Sequence, residues 1–306
     1  MTIHGLLSIV AGLLLAPLLQ GVVNRTKAVF AGRRGAPLLQ QYYDIARLLR
    51  KSVVFSGTST WVFRLAPSIT LACVLTALVV LAPAPVERGW GFAGDVILLA
   101  YALGLARFLT VAAAMDTGSS FEGMGASREV LYSALAEPAL LIGIAVLARV
   151  SGGTSLAAIL QGTGPTGWAA AGTALALVGV SFFVVLLAEN SRVPFDDPNT
   201  HLELTMIHEV MVLDSSGPDF ALVTYGASLK LWVFSALFAS LAVSPLGLAG
   251  FALSGTLIAA VLLTGVITGI VESTMARSAL VRAPLLLAGA CALSVLAFIL
   301  ASRFLS

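Results

Sequence analysis

The chain has 306 residues, 58% of them apolar and 10% charged, with a formal net charge of +2 and a mean hydropathy of +1.00. That balance excludes a soluble domain, in which about a quarter of the residues are charged. The basic residues lie in short segments without any nucleic-acid motif, which excludes a nucleic-acid partner.

Apolar windows long enough to cross ~30 Å of hydrocarbon recur along the whole sequence. They fall at 4–23, 63–83, 93–115, 130–150, 167–189, 222–243, 246–271 and 283–302. The fold class is therefore all-α integral membrane, with eight transmembrane helices in a single polytopic domain over 1–306. Met1-Thr2-Ile3-His4 enters the first window directly, with no basic stretch and no small-residue cleavage site. It reads as a retained helix with the N-terminus outside.

Between the first two windows, residues 24–64 hold eight of the seventeen basic residues, Arg25, Lys27, Arg33, Arg34, Arg47, Arg50, Lys51 and Arg64, against one acid, Asp44. Lys and Arg accumulate on the cytoplasmic side, so this loop reads as inside, together with 116–129, 190–221 and 272–282. Within it Leu38, Tyr42, Ile45 and Leu49 recur at helical spacing, with Arg47, Arg50 and Lys51 elsewhere on the wheel. This predicts an amphipathic interfacial helix after the first span. It serves either as a surface anchor or as one wall of a lateral pocket.

Charges inside the spans come next, because an ionisable group at membrane depth costs at least ~2.5 kcal/mol and tends to face a cavity or a partner. They are Arg107, Glu137 and Lys230, with Glu189 and Glu272 at helix ends. Glu137 precedes Pro138, whose missing N–H frees a carbonyl and favours a bend. Glu137–Arg107 and Glu189–Lys230 could be static pairs that fix helix register. Their number, beside an acidic loop, favours a polar track able to relay protons.

The densest polar run is Glu189-Asn190-Ser191-Arg192-Val193-Pro194-Phe195-Asp196-Asp197-Pro198-Asn199-Thr200-His201-Leu202-Glu203-Leu204. Beyond its prolines, residues 200–211 are expected to form a short helix with His201, Thr205 and His208 on one face. His208-Glu209 lacks the second His of HExxH, and His201-Leu202-Glu203 has no Cys partner, so the run reads as cavity lining rather than a metal site. Cys73 and Cys291 lie alone in separate spans and read as small core residues.

Glu189-x-x-Arg192-x-Pro194-Phe195-Asp196-x-Pro198 followed by Glu203-Leu204 resembles the loop signature of the complex I subunit 1 family, which is shared with energy-converting membrane-bound hydrogenases. Arg33-Arg34-Gly35-Ala36-Pro37, Asp44-Ile45-x-x-Leu48-Leu49, Gly125-Ala126-Ser127-Arg128-Glu129 and Glu137-Pro138 extend the likeness across all eight spans. Met115-Asp116-Thr117-Gly118-Ser119-Ser120-Phe121 and Glu272-Ser273-x-Met275-Ala276-Arg277 fit the hydrogenase branch, of formate hydrogenlyase subunit 4 type, better than the quinone-reducing one. Asn199, His201 and His208 stand where the quinone-linked branch carries further glutamates.

The resemblance implies a coupling subunit of a multisubunit oxidoreductase in a bacterial or archaeal cell inner membrane, with no cofactor of its own. Nickel–iron and iron–sulfur centres would lie in peripheral hydrogenase-like large and small subunits and iron–sulfur subunits. Antiporter-like membrane subunits and lipid would flank the chain, and electron transfer would drive proton or sodium translocation. The expected proton-coupling residues are Glu137, Glu189, Glu203, Glu209, Glu272, Asp196, His201, His208, Arg107 and Lys230. Arg33, Arg34, Arg128 and Arg192 are expected to dock the arm or brace the loop. A quinone-site subunit of complex I and a stand-alone ion transporter are the alternatives; no internal repeat supports the latter.

Overall fold

Backbone N–H and C=O groups cannot stay unpaired in hydrocarbon, so apolar runs of this length fold as helices whose hydrogen bonds close within the segment. The computed structural model describes residues 3–81, 92–196, 206–275 and 283–304. Among the described residues there are eleven α-helices and no strand. Eight are long and apolar enough to span a membrane: α1 (Ile3–Phe30), α3 (Trp61–Leu81), α4 (Asp95–Asp116), α5 (Ser120–Ser151), α7 (Pro165–Glu189), α9 (Gly217–Val243), α10 (Gly250–Thr274) and α11 (Ala283–Phe304). The short helices are α2 (Gln40–Leu48), α6 (Leu156–Gly162) and α8 (His208–Met211). The chain is a multi-pass membrane protein.

Three boundaries depart from the sequence expectation, each because a polar segment stays helical or an apolar one does not. α1 runs past residue 23 to Phe30, carrying Arg25 and Lys27 on its last turns. α5 starts at Ser120 instead of 130, so most of the expected loop at 116–129 is helix. Its first turns are too polar for a hydropathy window to include, yet they are buried at Glu122, Gly125, Ala126 and Glu129. Of the helix expected over 200–211, the described part shows His208–Met211 as helix, with Met206 and Ile207 outside it. His201, Thr205 and Glu203 lie outside the described residues.

α9 occupies the middle of the bundle, packed on α1, α3, α7 and α10, while α3 pairs with α4 and α11 lies against α5 and α7. Lipid tails are as apolar as Leu, so helices here are held by close packing and interhelical hydrogen bonds rather than by exclusion from water. Leu19, Val74, Leu99, Leu175, Leu186 and Leu229 fill the interior. The Ser181 and Ser294 hydroxyls bond at 2.8 Å, and Ser294 also donates to the Ala139 carbonyl at 2.9 Å, joining α5, α7 and α11.

α2 presents no buried residue. It is tied back to the bundle by Tyr42, whose hydroxyl donates to the Leu14 carbonyl, and by Gln41, which donates to Ser228 at 2.9 Å. Gly21 permits this approach, since a Cβ there would collide with the Leu38 carbonyl. Burial pushes the Tyr42 phenol above its ordinary value, against a backbone hydrogen bond that lowers it, so the hydroxyl keeps its proton.

Candidate functional site, a buried ion network beside a cavity

Arg107 sits mid-way along α4 and is buried. Its Nη1 donates to Glu137 of α5 at 2.6 Å and its Nη2 to Glu189, the last residue of α7, at 2.6 Å. Its Nε lies 3.7 Å from Glu129 of α5. The planar fork of an Arg lets one side chain meet several acceptors, which a Lys ammonium does with less geometric definition. Glu189 then turns its second oxygen to Lys230 of α9 at 3.1 Å. The two pairs expected from sequence are therefore one network, joined because Arg107 reaches Glu137 and Glu189 at once.

A second cluster closes the ends of α1 and α10. The Glu272 side chain is fully buried, 2.7 Å from Lys27 and 3.3 Å from Arg192. Arg192 also donates to Gln20 of α1. It reaches there because α7 ends in a Schellman turn: the Ser191 N–H returns to the Ala188 carbonyl at 3.1 Å and the Arg192 N–H to the Leu187 carbonyl at 2.9 Å. Ser191 takes the left-handed conformation usually given to glycine, at φ 49°. Beyond it Phe195 is buried, edge-on to Tyr132 of α5 with ring centroids 6.2 Å apart.

The polar loop is braced by charge. Asp196 is buried and accepts the N–H of Ile207 at 2.9 Å and of His208 at 3.3 Å. These bonds fix the start of α8, which carries His208 and Glu209. Both side chains line a cavity of about 280 Å³. Its polar wall holds Gln20, Arg107, Glu129, Glu189, Arg192 and Lys230, and its apolar wall Phe63, Pro67, Val74, Phe220 and Val223.

Burial, with the cations Lys230 and Arg192 nearby, holds the His208 imidazole down to about 4 from an ordinary 6.5. The ring is neutral at physiological pH. An unfolded chain protonates near 6.5 and the folded one near 4, so stability is full above pH 6.5 and is lost as pH falls toward 4. His208→Gln is expected to flatten that loss in a thermal-melt series in detergent. An unaltered slope would mean that this imidazole does not titrate differently on folding.

Of the residues singled out in the sequence, Arg107, Glu137, Glu189 and Lys230 meet directly, and Arg192 meets Glu272. Arg192 and Glu272 are turned inward and buried. Arg128 donates to the Met206 carbonyl at 3.2 Å, a contact that braces the loop. Arg33 and Arg34 are exposed and outside the network. His201 and Glu203 fall outside the described residues. Glu129, Lys27, Gln20 and Glu122 join the site without any sign of it in the sequence pattern. Extending the α5 window back by one residue would have placed Glu129 on the same helix as Glu137. Among the described residues no three His, Cys, Asp or Glu stand close enough to share a metal ion.

A family model described as NADH dehydrogenase matches residues 3–302. The chain is 34% identical over 231 residues to formate hydrogenlyase subunit 4 of Escherichia coli, covering 74% of this chain and 73% of the relative. It is 33% identical over 250 residues to hydrogenase-4 component C of the same organism, covering 81% and 77%. Identity to an NADH-quinone oxidoreductase subunit of Rhodopseudomonas palustris is 30% over 189 residues, covering 59% and 53%. Among solved structures, a chain of the membrane-bound sulfane sulfur reductase, an archaeal respiratory membrane complex, superposes with a TM-score of 0.81 at 20% identity, covering 97% of this chain and 98% of the other. At that identity the likeness is one of fold.

Proposed function

Because the chain belongs to the NADH dehydrogenase family, the complex I subunit 1-like membrane proteins, we propose that it is the membrane anchor and coupling subunit of a hydrogenase-type oxidoreductase. It links electron transfer in a peripheral arm to translocation of protons or sodium ions. The observation that carries this reading is the joined network Glu137–Arg107–Glu189–Lys230 inside the spans. Charges at membrane depth are expensive and mark ion pathways. A network in which each carboxylate faces a cation can pass a proton by small changes of pairing.

Glu137 also supports a neighbouring membrane subunit. It lies near the middle of α5, and 49% of its side chain is exposed. Tyr101, Leu105 and Phe108 of α4 and Leu141 of α5 are exposed on the chain's surface as well. Pro138 has no N–H for the carbonyl of Ala134, which is itself exposed. A carboxylate and a freed carbonyl suit a polar group on a partner's helix, not lipid. In this reading the basic segments face the cytoplasm of a bacterial or archaeal cell. Nickel–iron and iron–sulfur centres belong to the arm, and antiporter-like subunits lie along the flank.

The test is purification in mild detergent with bound partners, identified by mass spectrometry and metal assay. Nickel and iron–sulfur subunits are expected; recovery of the chain alone would overturn the reading. Glu137→Gln and Glu203→Gln are expected to keep assembly and redox turnover while ions moved per electron fall toward zero. Wild-type stoichiometry in both variants would remove these groups from the path.

A second reading rests on the cavity, whose one polar and one apolar wall suit an amphipathic ligand such as a quinone. Tight binding of a quinone-site inhibitor, lost on widening of the apolar wall at Phe63, would favour it.

A further inference from the structure

α5 begins with a row of residues spaced by three, Glu122, Gly125 and Arg128, each an i, i+3 neighbour of the next. All three meet the segment that carries α8. Arg128 Nη1 donates to the Met206 carbonyl at 3.2 Å, just before that helix. Glu122 Oε1 accepts the Asp214 N–H at 3.1 Å, just after it. Gly125 lies between, so close that a methyl there would sit 2.9 Å from the Ile207 carbonyl oxygen and 3.0 Å from Met211 Cγ. A guanidinium holds a carbonyl on one side of α8, a carboxyl holds an N–H on the other, and the residue between them has no side chain.

Glu122 has no share in the ion network, and none of the ion pairs among the described residues includes it. Its side chain is fully buried. Thr117 is its other polar neighbour, and the Thr117 hydroxyl already donates to the Ala114 carbonyl at 2.9 Å. Burying a carboxyl is costly unless it makes hydrogen bonds, so the bond to Asp214 is what that burial secures. The same turn is fastened from the other side. The Ser216 hydroxyl accepts the Val54 N–H at 2.9 Å and donates to the Val54 carbonyl at 3.0 Å. α8 is thus fixed between α5 and the strap joining α2 to α3.

We propose that Glu122, with Arg128 across Gly125, is a positioning residue. The pair clamps α8 as the floor of the cavity and so sets where His208 and Glu209 stand relative to Glu189 and Lys230. Its consequence for ion coupling rests on the proposed function, whereas the clamp itself is measurable without that function.

The experiment is hydrogen–deuterium exchange on the full chain, purified with its partners, read in peptides covering 206–216. Glu122→Ala is expected to speed exchange there about fivefold, the change that loss of one ordinary hydrogen bond supports. In Glu122→Gln the amide oxygen still accepts the Asp214 N–H, and exchange stays within about twofold of wild type. Gly125→Ala, which displaces Ile207 without touching Asp214, is expected to speed exchange at 206–211. In the assembled complex Glu122→Ala lowers the ions moved per electron while electron turnover persists, and Glu122→Gln restores them. Unchanged exchange at 206–216 in Glu122→Ala, or a Gln variant that behaves like the Ala variant, would overturn the proposal. The expected exchange pattern in a chain that purifies without any arm would uphold the clamp and sink the oxidoreductase reading.

Discussion

Arg107→Gln is expected to destabilise the folded chain by about 3–5 kcal/mol, the cost of removing one partner from a buried charge pair. The guanidinium is in contact with Glu137 and Glu189 at 2.6 Å each and lies 3.7 Å from Glu129. Glu189 keeps Lys230, and Glu137 reaches the chain's surface, so the group that loses most is Glu129, buried and, among the described residues, with no other cation within 4 Å. Arg107→Lys retains the charge but not the fork, and its loss should be smaller. Arg107→Gln combined with Glu129→Gln should cost less than the sum of the two single changes, because the second removes the charge that the first leaves unpaired. Thermal unfolding of the four variants in one detergent decides it. Strict additivity would mean that Glu129 is held by something other than Arg107.

The other large effect is expected at Glu272. Glu272→Gln leaves Lys27 and Arg192 facing each other across a neutral amide, with a loss of about 3 kcal/mol or more. Among the described residues Arg192 would then have Gln20 but no carboxylate, so the turn after α7 should loosen, and limited proteolysis near 190–196 should accelerate. Lys27→Met in the same chain removes one of the two opposed cations and is expected to recover part of the loss. The Arg107 variants, by contrast, should leave cleavage near 190–196 close to wild type, since that network does not include Arg192. If both sets of variants open the same segment equally, the two clusters act as one unit.

Much of the architecture is legible in the chain itself. Continuous apolar runs oblige the backbone to satisfy its hydrogen bonds within each segment, so the eight spans follow from hydropathy. Hydropathy is blind to helices that continue after the apolar run ends. It therefore puts the start of α5 and the end of α1 too far inward, and Glu129 in a loop. The Pro-Phe-Asp run marked the region of Arg192 and Asp196 by composition. The turn that points Arg192 at Glu272 depends on Ser191 in a conformation that its residue type does not announce.

The sequence by itself determined which ionisable groups sit at membrane depth and, through their motifs, the family. Where such groups go is a matter of cost: each must find an opposite charge or a cavity, but composition leaves open which one. Only the tertiary structure decided that Arg107 serves Glu137 and Glu189 together, that Glu272 takes Lys27 as well as Arg192, and that Glu122 holds a backbone N–H instead of a cation. Those choices depend on distances across four or five packed helices. A pairing energy that falls off within a few ångströms cannot be read from residues that stand 30 to 245 positions apart in the chain.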